Sequence, residues 1–113
     1  DNLRQFYVLS VQKGRILSYF KNHETVFLYG AGKYGKALLK LLREEGLEPA
    51  GFLVTEGNKK QNFIEGLQVF EISDMDLKRV GIGIIVTVYY HLQEEMIHKL
   101  KECEICDFMI LFE

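Results

Sequence analysis

The sequence predicts an α/β domain built on a five-stranded, mainly parallel sheet with helices on both faces. Short apolar runs such as TVFLYG (residues 25–30) and GIGIIVTVYY (81–90) have the β-branched and aromatic continuity of strands buried on both sides. Between such runs stand amphipathic stretches of about a dozen residues, and that alternation implies right-handed crossovers between parallel neighbours. With 113 residues, 48% of them hydrophobic, the chain is sized for one domain with one adequate core.

Residues 3–20 carry Leu3, Phe6, Tyr7, Ser10, Lys13, Leu17 and Phe20 at helical spacings, with Gly14 as a weak point. One helix or two short ones are expected, set apart as a leading element over residues 1–22; residues 23–113 then form the sheet domain. TVFLYG is the first strand. From Lys33 to Glu45, Tyr34, Ala37, Leu38, Leu41 and Leu42 recur as one helical stripe that stops at Gly46. The only proline, Pro49, precedes a second strand at Ala50–Thr55. Polar GNKKQNFIEG (57–66) reads as a loop and LQVFEI (67–72) as a short third strand. Ser73 and Asp74 stand where they could cap a helical turn. A fourth strand runs through Val88, Leu92, Met96, Ile97 and Leu100 share one face of a following helix, and CDFMILF (106–112) supplies a fifth strand. The expected strand order is 3-2-1-4-5, a Rossmann-like three-layer sandwich with a leading N-terminal helix.

Composition narrows the function. Net charge is −2, with 14 basic and 16 acidic residues mixed along the chain, so no basic stripe points to nucleic acid. No apolar run approaches the ~20 residues that span a bilayer, and the N-terminus lacks a secretion signal, so a cytoplasmic protein without a membrane span is expected. Cys103 and Cys106 are too few for a disulfide framework. They fall at the end of a helix, where the dipole disfavours a thiolate, and are expected to be packing residues. No zinc-ligand spacing, Walker A motif or G-x-S-x-G elbow is present. The chain opens on Asp1 rather than methionine and is expected to be a piece of a longer protein.

Chemistry concentrates at VFLYGAGKYGKALLKLL (26–42), where Gly30, Gly32 and Gly35 spell G-x-G-x-x-G between a strand and a helix. In that context Gly30 makes the tight turn, Gly32 lets a phosphate approach the backbone, and Gly35 lets helix and strand pack closely. The cradle is Gly30, Ala31, Gly32, Lys33, Tyr34 and Gly35, with the helix N-terminus facing the anion. Lys33 and Lys36 sit at the positive end of the helix dipole, where an anion would relieve their cost, or else they simply point to water. Glu56, 21 positions after Gly35, and Thr55 beside it are candidates for a ribose hydroxyl, while Lys59 and Lys60 could meet an extra phosphate. At the end of the fourth strand Thr87, Tyr89, Tyr90 and His91 could line a base or sugar, or else pack on the rim. A full dinucleotide fold needs two such halves, so the chain is expected to bind a nucleotide rather than to catalyse alone. A domain that has kept the fold and lost the ligand, pairing through Phe6, Tyr7 and Phe20, is the competing reading.

FLYGAGKYGKALLKLLREEG (27–46), EPAGFLVTEGN (48–58), IEGLQVFEISDM (64–75) and GIGIIVTVYYHLQEEMIHKLKE (81–102) resemble the small Rossmann-like domains joined to bacterial surface-polysaccharide and sugar-modifying enzymes. The likeness covers residues 26–112 and is greatest to the N-terminal domains of sialic-acid and bacillosamine acyltransferases. It implies a UDP- or CMP-linked nucleotide-sugar as ligand, with NAD(P) as the alternative of a reductase or epimerase. It also implies an attached or partner catalytic domain of glycosyl-, acyl- or methyltransferase type, and a homodimer is compatible with it. The catalytic histidine of those acyltransferases belongs to a separate β-helix domain, so no catalytic residue carries over.

Overall fold

A computed structural model describes residues 2–112. Its elements are α1 (Asn2–Lys21), β1 (Thr25–Tyr29), α2 (Lys33–Glu44), β2 (Gly51–Val54), β3 (Phe63–Ile64) and β4 (Leu67–Glu71), then a 3₁₀ turn (Ile72–Asp74), β5 (Ile82–Val86), α3 (Tyr90–Glu102) and β6 (Met109–Ile110). The strands form one mixed sheet of order β3-β4-β2-β1-β5-β6. Every pairing is parallel except β3 with β4.

The sheet therefore has six strands instead of the expected five, and its order begins with a strand that the sequence hides in a polar loop. Phe63 pairs with Gln68 and Ile64 with Leu67. Between them Glu65 (φ 52) and Gly66 (φ 77) are both left-handed, the signature of a type I′ hairpin turn. Glutamate is an uncommon occupant of that region, so the pair lacks the Asn-Gly look that announces such turns. The Arg43 guanidinium holds the turn from outside, donating to the Glu65 carbonyl at 2.6 Å while its other edge meets Glu48 at 2.8 Å.

Two apolar clusters lie on opposite faces of the sheet. Leu9 and Ile16 of α1 and Leu38, Leu39 and Leu42 of α2 pack on Val26, Leu28, Phe52, Val69 and Ile85. Leu100 of α3, with Ile72 of the 3₁₀ turn and Leu77 and Ile105 from loops, packs on Phe27, Tyr29, Leu53, Ile84 and Val86. Successive residues of β1 thus feed alternate faces, the period-two geometry of a strand covered on both sides. The short helical turn starts at Glu71 without a side-chain cap, so Ser73 and Asp74 do not play the capping part expected of them.

Helix α1 corrects another expectation. It runs unbroken through Gly14, and the side it turns to the sheet carries Leu9 and Ile16. Leu3, Phe6, Tyr7, Ser10 and Lys13, most of the stripe that the sequence suggests, are exposed. The helix has two apolar sides, and the sheet covers one.

The C-terminal end of α1 is latched to the segment entering β6. The Tyr19 hydroxyl accepts from the Ile84 amide at 2.9 Å and donates to Asp107 Oδ1 at 3.0 Å. His23 Nδ1 meets the Tyr19 carbonyl at 2.7 Å and Nε2 meets Asp107 Oδ2 at 2.6 Å. Both partners can only accept, so both ring nitrogens carry protons in the imidazolium form. Burial alone would lower the His23 pKa, yet these bonds to the Tyr19 carbonyl and Asp107 raise it above its ordinary value. A raised folded pKa gives stability that is fully present below the unfolded value of about 6.5 and is lost as pH rises through the folded value. The stability advantage of the natural protein over Asp107→Asn is therefore expected to shrink as pH is raised from about 6 to 9, read as the difference in urea midpoints.

Candidate functional site

Strand β1 ends where the chain must turn sharply into α2, and three glycines divide the work. Gly30 has φ +117, and a β-carbon there would stand 2.6 Å from Thr87 Oγ1 and 2.9 Å from a Val88 methyl. Gly35 is buried, and a β-carbon on it would run into the Gly30 carbonyl and come within 3.2 Å of the Phe52 ring. Gly32, the N-cap of α2, has open space about it, with nothing within 4 Å of a β-carbon, and no side chain caps the helix. The first intrahelical bond, Lys36 N–H to the Gly32 carbonyl at 2.9 Å, leaves the preceding amides of the turn without intrahelical partners.

The turn is stapled from both neighbours. The Gly30 amide donates to the Leu53 carbonyl of β2 at 3.0 Å. From the other side the Thr87 amide and hydroxyl both donate to the Tyr29 carbonyl, and the hydroxyl also reaches the Gly30 carbonyl at 2.8 Å. Thr87, expected to contact a base or sugar, is buried and committed to the backbone of the turn.

A pocket of about 240 Å³ opens at this end of the sheet, between the carboxyl ends of β1, β2 and β5 and the first turns of α3. Ala31, Val54, Val88, Leu92 and Met96 give it apolar walls, and Thr55, Asn58 and Glu95 are its polar groups. At its floor the Tyr29 and Thr55 hydroxyls share a hydrogen bond of 2.7 Å. Burial, with smaller contributions from Glu56 and Cys103, pushes the Tyr29 pKa up, so its phenol stays neutral.

The other expected site residues are placed elsewhere. Glu56 turns away from the pocket to Lys99 of α3 at 2.9 Å, and that hydrogen bond holds its carboxyl below the usual range. Tyr34 and Tyr89 stack with ring centres 6.2 Å apart, and Phe112 stands edge-on to both at 4.5 and 4.9 Å. Arg4 covers Tyr89 at 5.2 Å. Lys33 and Lys36 line a separate open groove along α2 with Lys40, Arg43, Glu44 and Glu65. The structure thus brings Gly30, Ala31 and Thr55 to one pocket, leaves Gly32 outside its lining with open space about it, and assigns Thr87, Glu56, Tyr34 and Tyr89 to internal contacts. Sequence reasoning missed Asn58 and Glu95. The signal was present in the i, i+3, i+4 spacing of Leu92, Glu95 and Met96, which puts the acid on the same helical side as two apolar neighbours.

Among the described residues no group of three or more His, Cys, Asp or Glu is placed to hold a metal ion, and no helix is long and apolar enough to cross a membrane. Both cysteines are free thiols, Cys103 half-buried against the α3-side core and Cys106 exposed. Comparison with protein-family profiles, curated proteins and solved structures finds no match.

Replacing Thr87 by valine orphans the Gly30 carbonyl and is expected to cost about 1–3 kcal/mol in urea denaturation, whereas Gly32→Ala, which meets nothing and only weakens the N-cap, should cost less, about 0.5–1 kcal/mol.

Proposed function

We propose that the protein is a Rossmann-like nucleotide-binding domain, non-catalytic by itself and accessory to a transferase of glycan biosynthesis. The observation that carries this reading is the coincidence of an open glycine turn with a pocket at the point where strand order reverses. From β1 the chain crosses by α2 to β2, and from β5 by α3 to β6, with α2 and α3 on opposite faces of the sheet. In open α/β sheets ligands sit outside the carboxyl ends of the strands at such a switch point. The amides that open α2 without intrahelical partners and the positive end of its dipole suit a phosphate, and the open space about Gly32 lets it approach.

The base or ribose then enters the neighbouring pocket. Its volume lies below the ~300–1,000 Å³ of drug-sized sites, which favours one nucleoside unit over a whole dinucleotide inside it. Glu95 and Asn58, at the pocket wall, take the ribose hydroxyls in place of Glu56, which Lys99 occupies. A UDP- or CMP-linked sugar, whose sugar half projects into solvent or toward a catalytic partner, fits this geometry better than NAD(P).

A ligand-free structural domain is the second reading. It is favoured by the self-contained pairing of Thr87, Glu56 and the aromatic trio, which leaves fewer groups aimed at a ligand than the sequence suggests.

A thermal-shift panel of UDP- and CMP-sugars, NAD(H), NADP(H), CoA and S-adenosylmethionine tests the choice. A true ligand at about 100 times its dissociation constant adds about 2.7 kcal/mol and several degrees to the midpoint. Gly32→Val should abolish that gain while the unliganded domain stays folded with a slightly lower midpoint, and Glu95→Gln should reduce it more than Glu56→Gln. No responder in the panel would leave the structural reading standing.

A further inference from the structure

We infer that the outer face of the α1/α2 layer binds the surface of an anionic lipid bilayer. The two helices lie side by side on one face of the sheet, so the sides they turn away from it point the same way. On α1 that side carries Leu3, Tyr7 and Val11, spaced four residues apart and exposed by 83%, 69% and 63%, with Phe6 at its flank. At 3.6 residues per turn this row stands opposite the buried Leu9 and Ile16. On α2 the outward side carries Lys33, Lys36 and Lys40, with Glu44 at its C-terminal end, and the three lysines find no acidic partner within ion-pair distance among the described residues.

Charge is sorted across the molecule. Residues 2–44, which contain both helices, hold eight Lys or Arg against two Glu, and α1 itself holds no acid. Residues 45–112 hold six Lys or Arg against twelve Asp or Glu. The near-neutral total conceals this separation along the chain, although Glu45 and Glu48 of the second part pair with Lys13 and Arg43 at the rim of the helical layer.

This sorting is what selects an extended anionic plane over other occupants. A planar negative surface attracts the α1/α2 layer and repels the rest, so the field orients the whole domain with its exposed aliphatic and aromatic row against the surface. Helices that lie in a membrane interface combine such a row with flanking cations. A second copy would set like-charged layers against each other. A nucleic acid would satisfy the lysines and leave Leu3 and Val11 without a partner. The pocket at the glycine turn is lined by neither the lysines nor the apolar row, and stays accessible.

The test is sedimentation of the full 113-residue chain with vesicles of phosphatidylcholine, or of phosphatidylcholine and phosphatidylserine in equal parts. Binding to the anionic vesicles alone, falling as salt is raised, is expected. Neutralising Lys33, Lys36 and Lys40 together as glutamines should weaken partitioning by about a hundredfold, at about fivefold per lysine. The triple variant Leu3→Ser, Tyr7→Ser, Val11→Ser should weaken it as well, with the domain still folded by circular dichroism because those side chains are mostly exposed. Failure to bind anionic vesicles, equal binding to neutral ones, or full binding by the glutamine variant would each overturn the assignment. A dimer in sedimentation velocity that the serine variant dissolves, without vesicle binding, would assign the face to a second copy. Tight binding of a duplex oligonucleotide that ignores the serine substitutions would make it a general polyanion surface. Either of these last two results also overturns the inference.

Discussion

The rest of the structure depends on how closely the α2 backbone approaches the end of β1. Gly35 lies against the Gly30 carbonyl and the Phe52 ring, leaving no room for a side chain. That approach fixes where α2 begins and at what height it crosses the sheet. It thereby sets which of its residues reach the core, so Leu38, Leu39 and Leu42 are buried while Lys33, Lys36 and Lys40 face out. Thr87 holds the other side of the same corner. One close contact and one hydroxyl thus couple β1, β5 and α2, and the pocket beside them is the space these constraints leave.

The legible parts of the fold were those with strong local periodicity. β1 and β5 are continuous apolar runs, and α2 carries its stripe at clean 3.6-residue spacing, so both kinds of element are visible without tertiary knowledge. β3 was invisible because its turn uses Glu65 where asparagine or aspartate is usual, and because two residues are too few to show alternation. The inward side of α1 was illegible for a different reason. Leu9 with Ile16 and Leu3 with Tyr7 and Val11 make two competing apolar rows, and only the sheet decides between them.

In the candidate site the glycine roles follow from the motif and its context, while side-chain commitments do not. Glu56 and Lys99 are 43 positions apart, and Thr87 reaches a carbonyl 57 residues away. No local pattern encodes partners at that separation. Glu95 shows the converse, a residue that looks like surface solvation next to Glu94 until the pocket is seen to sit against its helix.

The hairpin at one end of the sheet and the brevity of β6 at the other bear on how the domain avoids its own kind. An open sheet invites strand addition along its outermost backbone, the common route to aggregation. Here β4 is covered by two residues of β3 that turn back on themselves, and the far edge offers only Met109 and Ile110, with α1 latched to the chain just before them. Each margin presents only a short ladder, two residues of β3 with the end of β4 beyond them on one side and two residues of β6 on the other. Growth by edge pairing is thereby limited at both margins, which favours contact through the helices or the mouth of the strands.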